Sequence, residues 1–461
     1  MTNAALPAEA APRHAAPWLA ILFVAGAFFI VEHNFNAADL YDQLTTAGSL
    51  DEIQDLNRMF QPRAWRQLAG LALGGAGLFL MLRRRRSSNL ALGFLGGLLI
   101  FYLAWNTLSL VWSDAPAVTL RRVGLLYMLV LAALGLTAVL SLRDILLLAV
   151  FWPAIYVVTG FGAEVAQGDF TPWAGAYRFA GTLHPNAQGV NCAILVLAAI
   201  CYYREAEHKN LVLLTILVGA GFLYLTKSRT AVTCVVGVLL MHWGILQSRS
   251  AKVALASAVI MLVAAFLLLQ AWVEEPAREA LTLGRTDVSA QEVGTLTGRR
   301  DLWDQLSGYV AEAPVLGFGY GAFWNEERSN EIIDEQGWPI SHAHNAYFDV
   351  LLEAGPIALV TYALLLIAAI TLAISYLRQS GNPAYTFFSI LLLFCALNSL
   401  LESASVQRSQ LTLLLLIVLT SLAFREHPKR AWYEQEAPAA ADRSGGAATE
   451  HAPAAQPVAG G

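Results

Sequence analysis

Apolar windows of about 20 residues recur along almost the whole chain, and they limit its fold more than any other feature. An α-helix of that length crosses a hydrocarbon core of roughly 30 Å, and short polar joints separate one window from the next. The chain has 461 residues, of which 57% are hydrophobic and 14% are charged. This composition excludes an ordinary soluble fold and predicts an all-α, polytopic membrane protein with about twelve transmembrane helices. The predicted spans lie near residues 15–32, 66–82, 89–112, 123–140, 145–163, 186–203, 210–226, 231–247, 252–273, 346–376, 384–401 and 410–424.

The same pattern divides the chain into five parts. These are a disordered cytoplasmic N-terminus (1–14), helices 1–9 (15–273), a large outer loop carrying short helices (274–345), helices 10–12 (346–424) and a disordered cytoplasmic tail (425–461). The tail is rich in Ala, Pro and Gly, which is typical of disordered segments. The run 346–376 is too long for one upright helix, and Pro356 near its start predicts a short interfacial turn before the crossing.

Basic side chains in the polar joints predict the orientation of the helices. If successive helices alternate in direction, the following residues fall on one side: Arg83 to Arg86, Arg143, Arg204, Lys209, Arg249, Lys252, Arg378, Arg425, Lys429 and Arg430. Cytoplasmic joints carry an excess of Lys and Arg, so this side is predicted to be cytoplasmic, and both termini lie there. The large loop then faces the outer side.

Four cations depart from this bias, because Arg178, Lys227, Arg229 and Arg408 fall on the outer side. An anionic ligand would account for them, since a guanidinium binds a phosphate through two hydrogen bonds without a change of protonation. Lipid headgroups are the competing explanation. Asn186 lies near Arg178 at the start of the following span, where it either caps the helix or belongs to the same site.

The outer segment holds most of the remaining side chains suited to chemistry. Arg299 and Arg300 precede a stretch from Leu302 to Tyr309 whose apolar residues recur at helical spacing. The string from Gly317 to Gly321 has the glycine spacing of a phosphate cradle, but no strand precedes it, so a nucleotide-binding fold is unsupported. Tight turns explain these glycines better.

Two histidines, His342 and His344, end the outer segment. As metal ligands they lack a convincing third partner at a known spacing, so no metal is expected. As a general base, one imidazole could accept a proton from an attacking hydroxyl. A histidine that caps the next helix is the competing structural role. The four cysteines all lie in apolar runs and are predicted to be buried, without a disulfide.

Several short motifs together resemble a known family. They are Gly298-Arg299 followed by Leu302-Trp303; Pro314 with Gly317, Gly319, Gly321 and Phe323; His344-Asn345 followed by Gly355; Arg178 with Gly181 and Asn186; and Ser228-Arg229. This set resembles the O-antigen ligase and polymerase superfamily, which comprises bacterial inner-membrane glycosyltransferases acting on lipid-linked glycans. The likeness extends over residues 170–360, and outside that range it rests on helix number and hydropathy.

The resemblance implies a GT-C-like helical fold with a periplasmic cavity for a glycan linked to undecaprenyl diphosphate. It implies that His344 acts on the acceptor, that Arg178 and Arg229 hold the diphosphate, and that no metal or other cofactor is needed. Lys227, Arg299 and Arg300 are expected to add to the diphosphate site. Supporting roles are expected for His342, Asn345, Asn186, Tyr347, Trp303, Tyr320, Phe323 and Trp324, with the aromatic faces available for stacking on sugars.

The expected reaction is an inverting transfer of glycan to a sugar hydroxyl, in a polysaccharide polymerase of the O-antigen or exopolysaccharide type. An O-antigen ligase that transfers glycan to lipid A core is the alternative with the same donor. Membrane lipid, a flippase and a chain-length regulator are expected partners, and the net charge of -5 gives no reason to expect nucleic acid. A secondary transporter and a non-catalytic receptor or assembly subunit are the hypotheses from other classes.

Overall fold

The computed structural model describes residues 64–83, 93–175, 177–246, 299–338, 340–407 and 409–424, together with residues 18, 22–24 and 26–27. Within these ranges the chain forms helices and no strand. The helices are α1 (Ala64–Arg83), α2 (Phe94–Leu108), α3 (Pro116–Val139), α4 (Leu142–Gln167), α5 (Pro185–Tyr202), α6 (Lys209–Leu225), α7 (Arg229–Leu246), α8 (Arg299–Glu312), α9 (Glu326–Gln336), α10 (Ala346–Ser380), α11 (Pro383–Asn398), α12 (Ala404–Gln407) and α13 (Ser409–Phe424).

The apolar helices confirm that this is an integral membrane protein. In the described part of the chain, six helices are long and apolar enough to cross a membrane: α2 with its 3-10 extension to Val111, α3, α4, α5, α7 and α10. Shorter apolar stretches occur in α1, α6, α11 and α13. All ten coincide with predicted spans. The predicted spans at 15–32 and 252–273 lie largely or wholly outside the described residues, as do both predicted disordered ends and the first part of the large loop.

Two contacts bring basic joints together at one end of the helix bundle. Arg143, which follows the end of α3, lies 3.9 Å from the carboxylate of Glu207 in the joint between α5 and α6. Arg378 near the end of α10 donates a hydrogen bond of 3.1 Å to the carbonyl of Ile245 at the end of α7. These contacts agree with the predicted grouping of the joints that hold Arg143 and Arg378, and the cytoplasmic location of that side stays a prediction. The opposite end, where α4 and α6 end and α5, α7 and α10 begin, is called the site face below.

The part of the outer segment that the structure describes, α8 and α9, has a small core of its own. As predicted, its first helix is amphipathic, and Leu302 and Leu306 are fully buried beside Phe323 and Ile332. Arg328 joins this unit to the rest of the protein by an ion pair of 2.9 Å with Asp114 in the joint between α2 and α3. The outer segment is thus a packed cap on the site face.

Helix α10 breaks at Gly355, where φ is 73° and ψ is -177°. Pro356 has no N–H group, so the carbonyl of Leu352 loses its usual helical donor. The glycine string supplies replacements: the N–H of Phe318 bonds to that carbonyl at 2.9 Å, and the N–H of Gly319 bonds to the carbonyl of Glu353 at 2.8 Å. The predicted turn near Pro356 is confirmed, and the string binds helix carbonyls.

Gly317, Gly319 and Gly321 all have positive φ values, of 67°, 101° and 70°, which confirms that they form tight turns. A Cβ atom at Gly319 would also collide with the side chain and backbone of Ser113. We expect Gly319→Ala to lower the free energy of unfolding by roughly 1–3 kcal/mol, because both the backbone conformation and the space favour glycine.

Thermal unfolding of the detergent-solubilised protein measures this effect. Gly308→Ala is the matched control, since Gly308 lies in α8 with nothing within 4 Å of an added Cβ, and there Ala should stabilise the helix slightly. Equal melting temperatures for Gly319→Ala and the unsubstituted protein would contradict the role assigned to the string.

Candidate active site

One buried carboxylate, that of Glu402, brings four separate segments together at the site face. Its Oε1 accepts hydrogen bonds from Arg299 Nη2 at 2.8 Å and from Asn186 Nδ2 at 3.0 Å. Its Oε2 lies 3.6 Å from Nδ1 of His344. Glu402 lies between α11 and α12, Arg299 begins α8, Asn186 lies in the first turn of α5, and His344 precedes α10. These residues, with Arg178, are called the Glu402 cluster.

Arg178 enters the Glu402 cluster through Asn186. Its Nη2 donates to Asn186 Oδ1 at 2.8 Å, and its Nε donates to the carbonyl of Thr226 at 3.1 Å. The loop that carries Arg178 is held by Glu164 of α4, a buried carboxylate that accepts the backbone N–H groups of Ala180 and Gly181. Thr226 directly precedes the short hairpin between α6 and α7 that carries Lys227 and Arg229. Arg178 therefore connects that hairpin to the Glu402 cluster.

His344 sits in a turn that is fixed on both sides. Asn345 caps α10: its side-chain oxygen accepts hydrogen bonds from the N–H groups of Tyr347 and Phe348. The N–H of Asn345 donates to Ser403 Oγ at 3.1 Å. Before the turn, buried Asp349 accepts the N–H of Ala343 at 3.0 Å. The His344 ring packs against His342, with ring centroids 4.2 Å apart. No histidine caps α10, so that competing role is excluded.

The backbone at His344 is strained. Its φ is 49°, and Lys227, with the same φ, is the other non-glycine residue with a positive φ in the described ranges. Such conformations cost of order 1–3 kcal/mol and cluster at functional sites. Both residues belong to the predicted site, and the Lys227 ammonium also donates a short hydrogen bond to the carbonyl of Gly175. The strain lowers the stability of the fold at these two turns, and it indicates that the positions of the His344 and Lys227 side chains matter for function.

Glu402 remains ionised at any physiological pH. Burial by itself would raise the pKa of its carboxyl, but the approach of His344 and the positive charge of Arg299 hold the pKa at about 2. The side chains of Glu402 and Arg299 are 8% and 13% exposed, so their attraction is only weakly screened by water. A permanent negative charge therefore orients the guanidinium of Arg299 and faces the imidazole of His344, and Arg178 is linked to it through Asn186.

The predicted site residues fall into two groups. Arg178, Asn186, Arg299, His342 and His344 meet in or beside the Glu402 cluster, with Lys227 and Arg229 on the adjoining hairpin. Asn345 shapes the turn. The residues that the structure does not bring there are Arg300, Tyr320, Phe323, Trp324 and Tyr347; Arg408 lies outside the described residues.

Packing explains why the predicted aromatic residues do not join the cluster. Trp324 is 8% exposed and donates its indole N–H to Asp349, and Phe323 is fully buried, so neither presents a face to a sugar. The Tyr347 hydroxyl donates to the carbonyl of Ala396 inside the bundle. Trp303 donates to the carbonyl of Ala343 at 2.8 Å and so supports the histidine turn from behind.

Asn186 is not the helix cap that its residue type suggested. The cap of α5 is His184, whose Nδ1 accepts the N–H of Asn186 at 3.3 Å. Asn186 is thereby placed inside the first turn, where its amide is free of the capping task and can join Arg178 to Glu402. The alternative role considered for it, membership of the site, is the one its geometry supports.

Sequence reasoning missed Glu402 and Asp349. Glu402 lies 103 residues from Arg299 and 216 from Asn186 along the chain, so no local spacing pairs them. Its one local signal is a carboxylate directly after an apolar span in a joint that also holds Arg408. Asp349 gives a clearer signal, since an acidic residue in the first turn of an apolar helix needs buried partners.

Glu402 also supplies the third metal-binding group that the sequence lacked. Ligand atoms of His342, His344 and Glu402 lie within 4.8 Å of one another. The donor set nevertheless suits a divalent cation poorly, because Arg299 already binds the same carboxylate at 2.8 Å and would repel the ion. The arrangement is better suited to holding an imidazole beside cations.

Part of the chain that includes His344 matches a known protein family. Residues 213–363 match the family model described as O-antigen ligase. Over these residues the chain is similar to the O-antigen ligase and polymerase superfamily. No curated protein matches it. The matched range includes Arg229, Arg299 and His344, whereas Arg178 and Glu402 lie outside it and reach the same cluster through the fold.

The match to this family model agrees with the apolar, all-helical fold of the described residues. The family indicates a glycosyltransferase-like membrane enzyme that acts on polysaccharide and lipid-linked substrates in general. The predicted resemblance to the O-antigen ligase and polymerase superfamily is therefore confirmed over residues 213–363.

The low pKa of Glu402 predicts how stability depends on pH. A carboxyl whose pKa is about 2 in the folded protein and about 4.5 in the unfolded chain stabilises the fold above pH 4.5, and this contribution, of roughly 3 kcal/mol, is lost as the pH falls toward 2. Glu402→Gln should therefore unfold at a lower temperature than the unsubstituted protein at pH 7, and the difference should shrink at pH 3.

Differential scanning fluorimetry at both pH values provides the measurement. Asp334→Asn, at an exposed position of α9, is the control and should leave the unfolding temperature nearly unchanged. A gap between Glu402→Gln and the unsubstituted protein that is as wide at pH 3 as at pH 7 would refute the charge-based role of Glu402.

Proposed function

We propose that this protein transfers a glycan from undecaprenyl diphosphate to an acceptor sugar hydroxyl at the periplasmic face of the bacterial inner membrane. The observation that carries the proposal is the Glu402 cluster, in which one imidazole lies among fixed guanidinium groups at one end of a membrane-embedded bundle. The match of residues 213–363 to the O-antigen ligase family model supports the same reaction class.

His344 is the proposed general base. A proton on Nδ1 would point toward the permanently charged Glu402, 3.6 Å away, which leaves Nε2 as the basic nitrogen. Nε2 takes the proton of the acceptor hydroxyl, and the oxygen forms a bond to the anomeric carbon of the donor. The bond between that carbon and the diphosphate oxygen breaks, and its electron pair leaves with undecaprenyl diphosphate. Direct displacement of this kind inverts the anomeric centre.

Arginine and lysine side chains stabilise the departing diphosphate in this proposal. Arg299 binds the single carboxylate of Glu402 directly and Arg178 is linked to it through Asn186, so these three charged side chains carry a net charge of +1. Lys227 and Arg229 extend the positive region along the neighbouring hairpin. Fixed cations aimed at developing negative charge can replace the divalent ion that many diphosphate-releasing enzymes use. The proposed reaction is therefore independent of metal.

A polysaccharide polymerase is favoured over a ligase that acts on lipid A core. The preference rests on likeness of the motifs around Arg299 and from Gly317 to Trp324, and both kinds of enzyme share the same donor chemistry. A secondary transporter is disfavoured, because transporters place ionisable groups near the middle of their helices. The Glu402 cluster instead occupies loops and helix starts at one end of the bundle.

His344→Ala should lower kcat by about 10²–10⁴-fold, the usual contribution of a general base, with little change in donor KM. The assay uses purified protein in detergent with EDTA, undecaprenyl-diphosphate oligosaccharide, and lipid A core in a parallel reaction. Growth of chains on the carrier indicates a polymerase, whereas label on lipid A indicates a ligase. His208→Ala, at an exposed histidine preceding α6, is the control. Unchanged turnover in His344→Ala would remove the base from the mechanism.

Arg299 and Arg300 give a matched pair for the diphosphate site, since the Arg299 side chain is only 13% exposed beside Glu402 and Arg300 is exposed. Arg299→Ala should raise donor KM about 10-fold or more, because charged hydrogen bonds of this kind contribute roughly 1.5–3 kcal/mol. Arg300→Ala should leave donor KM within about twofold, as expected for a surface change. Steady-state kinetics over a range of donor concentrations separates the two. Equal effects of both substitutions would argue against a specific role for Arg299.

A further inference from the structure

The turn that joins α8 to the glycine string exposes apolar side chains. It comprises residues 313–316 and is called the apolar turn below. Val315 and Leu316 are 59% and 39% exposed. The sequence from this turn to Trp324 carries no charged side chain, whereas α8 and α9, which flank it, expose their carboxylates to water. The exposed surface of the apolar turn is therefore unlike that of the rest of the cap.

The apolar turn is bonded to the end of a helix that is suited to crossing the membrane. α2 with its 3-10 extension to Val111 is long and apolar enough to span the hydrocarbon layer. Trp112, the next residue, donates its indole N–H to the carbonyl of Leu316 at 3.0 Å. The turn therefore lies at the level where this span ends, although it belongs to the outer segment.

A second contact places part of the turn deeper. Trp105 lies about two helical turns before the end of the α2 span, or about 10 Å along its axis, and donates its indole N–H to the carbonyl of Ala354 at 2.8 Å. Ala354 directly precedes the break in α10 at Gly355, and a Cβ atom on Gly355 would collide with the carbonyl of Val315. Val315 therefore lies between the levels of the two tryptophans, within the apolar length of α2.

The apolar turn also continues the lipid-facing side of α2. Phe94, Phe101 and Leu108 recur at heptad spacing on one side of this helix and are 72%, 48% and 51% exposed. Trp105 and Trp112 follow the same side, with ring centroids 5.4 Å apart, and tryptophan is enriched where membrane spans meet water. An apolar surface that continues a lipid-facing side is covered by the same lipid.

The backbone of the apolar turn suits that environment. Irregular backbone is tolerated at membrane depth where the protein itself pairs the polar groups. Pro314 has no N–H group, the carbonyl of Leu316 is paired with Trp112, and the N–H of Gly317 bonds to the carbonyl of Ala313 at 3.2 Å. The turn therefore presents mainly apolar side chains to its surroundings.

We propose that the apolar turn inserts into the hydrocarbon layer of the membrane leaflet on the site face, so that bilayer lipid is the partner of this part of the cap. Insertion removes exposed apolar surface from water, which is favourable. The turn follows the end of α8, and Arg299 begins α8 about 20 Å away. One helix thus connects a membrane contact to the Glu402 cluster. The inference does not depend on the proposed reaction, since it rests on the depth and the apolar surface of the turn.

Fluorescence quenching in vesicles tests this insertion. Val315→Cys receives a nitrobenzoxadiazole label, and the protein is reconstituted into phosphatidylcholine vesicles. Two quenchers are compared: a nitroxide near the headgroup end of the lipid acyl chains, and iodide in the water. Val360→Cys, at a position of α10 that is 56% exposed, is the lipid-facing control, and Asn330→Cys, exposed among the carboxylates of α9, is the aqueous control. The native cysteines are buried, and the unsubstituted protein measures background labelling.

We expect the nitroxide to quench the label at Val315 at least about twofold more than the label at Asn330, and iodide to quench it at least about twofold less, because an ion is excluded from hydrocarbon. A label at Val315 that responds as the label at Asn330 does would overturn the insertion. A label at Val315 that is shielded from both quenchers would show that protein covers the turn, and this result would overturn the lipid assignment as well.

A charge placed in the apolar turn gives a second test. With the label on Leu316→Cys, Val315→Asp should reduce quenching by the lipid nitroxide by about half or more, because a carboxylate is costly to place in the hydrocarbon layer. Val315→Ile is the matched apolar control and should leave this quenching unchanged. Equal lipid quenching in the two variants would contradict the role given to the apolar side chains. The label at Val315 decides the question by itself if Val315→Asp does not fold.

Discussion

The arrangement at the site face depends on one buried negative charge. Removing the Glu402 carboxylate from water is costly, and the cost is offset because Arg299 and Asn186 both donate to Oε1 while His344 faces Oε2. The same contacts fix segments that are distant in sequence, since each must reach Glu402 to satisfy it. A cluster of cations alone would repel its own members, whereas one carboxylate among them holds them in a defined geometry.

The second constraint is the interrupted helix α10. The break at Gly355 and Pro356 exposes carbonyl groups that a continuous helix would use internally, and the glycine string of the outer segment binds them. This contact, together with the ion pair between Arg328 and Asp114, holds α8 and α9 against the bundle. Arg299 begins α8, so the position of the outer segment determines whether Arg299 reaches Glu402. Backbone pairing far from the cluster is therefore part of its geometry.

Local signals made the helices, the turns and the cationic residues predictable. Hydropathy reports a property of each window, and a cation such as Arg178 in a joint predicted to face outward is unusual whatever its partners are. Glu402 could not be assigned in this way, because its importance comes from contacts with residues more than 100 positions away. The sugar-stacking role predicted for Trp324 was wrong because tryptophan is common both on sugar-binding surfaces and in small cores. The fold alone decides that Trp324 is buried and donates to Asp349.

The charged groups of the Glu402 cluster lie at one end of the helix bundle, in loops and helix starts. The proposed reaction would release a diphosphate at that end, whereas buried leucines such as Leu366 and Leu415 lie near the middle of their helices. A transporter would need its charges where the leucines are, since its ligand must pass the centre of the membrane. An enzyme that keeps the lipid chain in the membrane and brings the sugar to a fixed base needs the order of groups found here. The position of charge along the helix axis therefore argues for transfer at a surface.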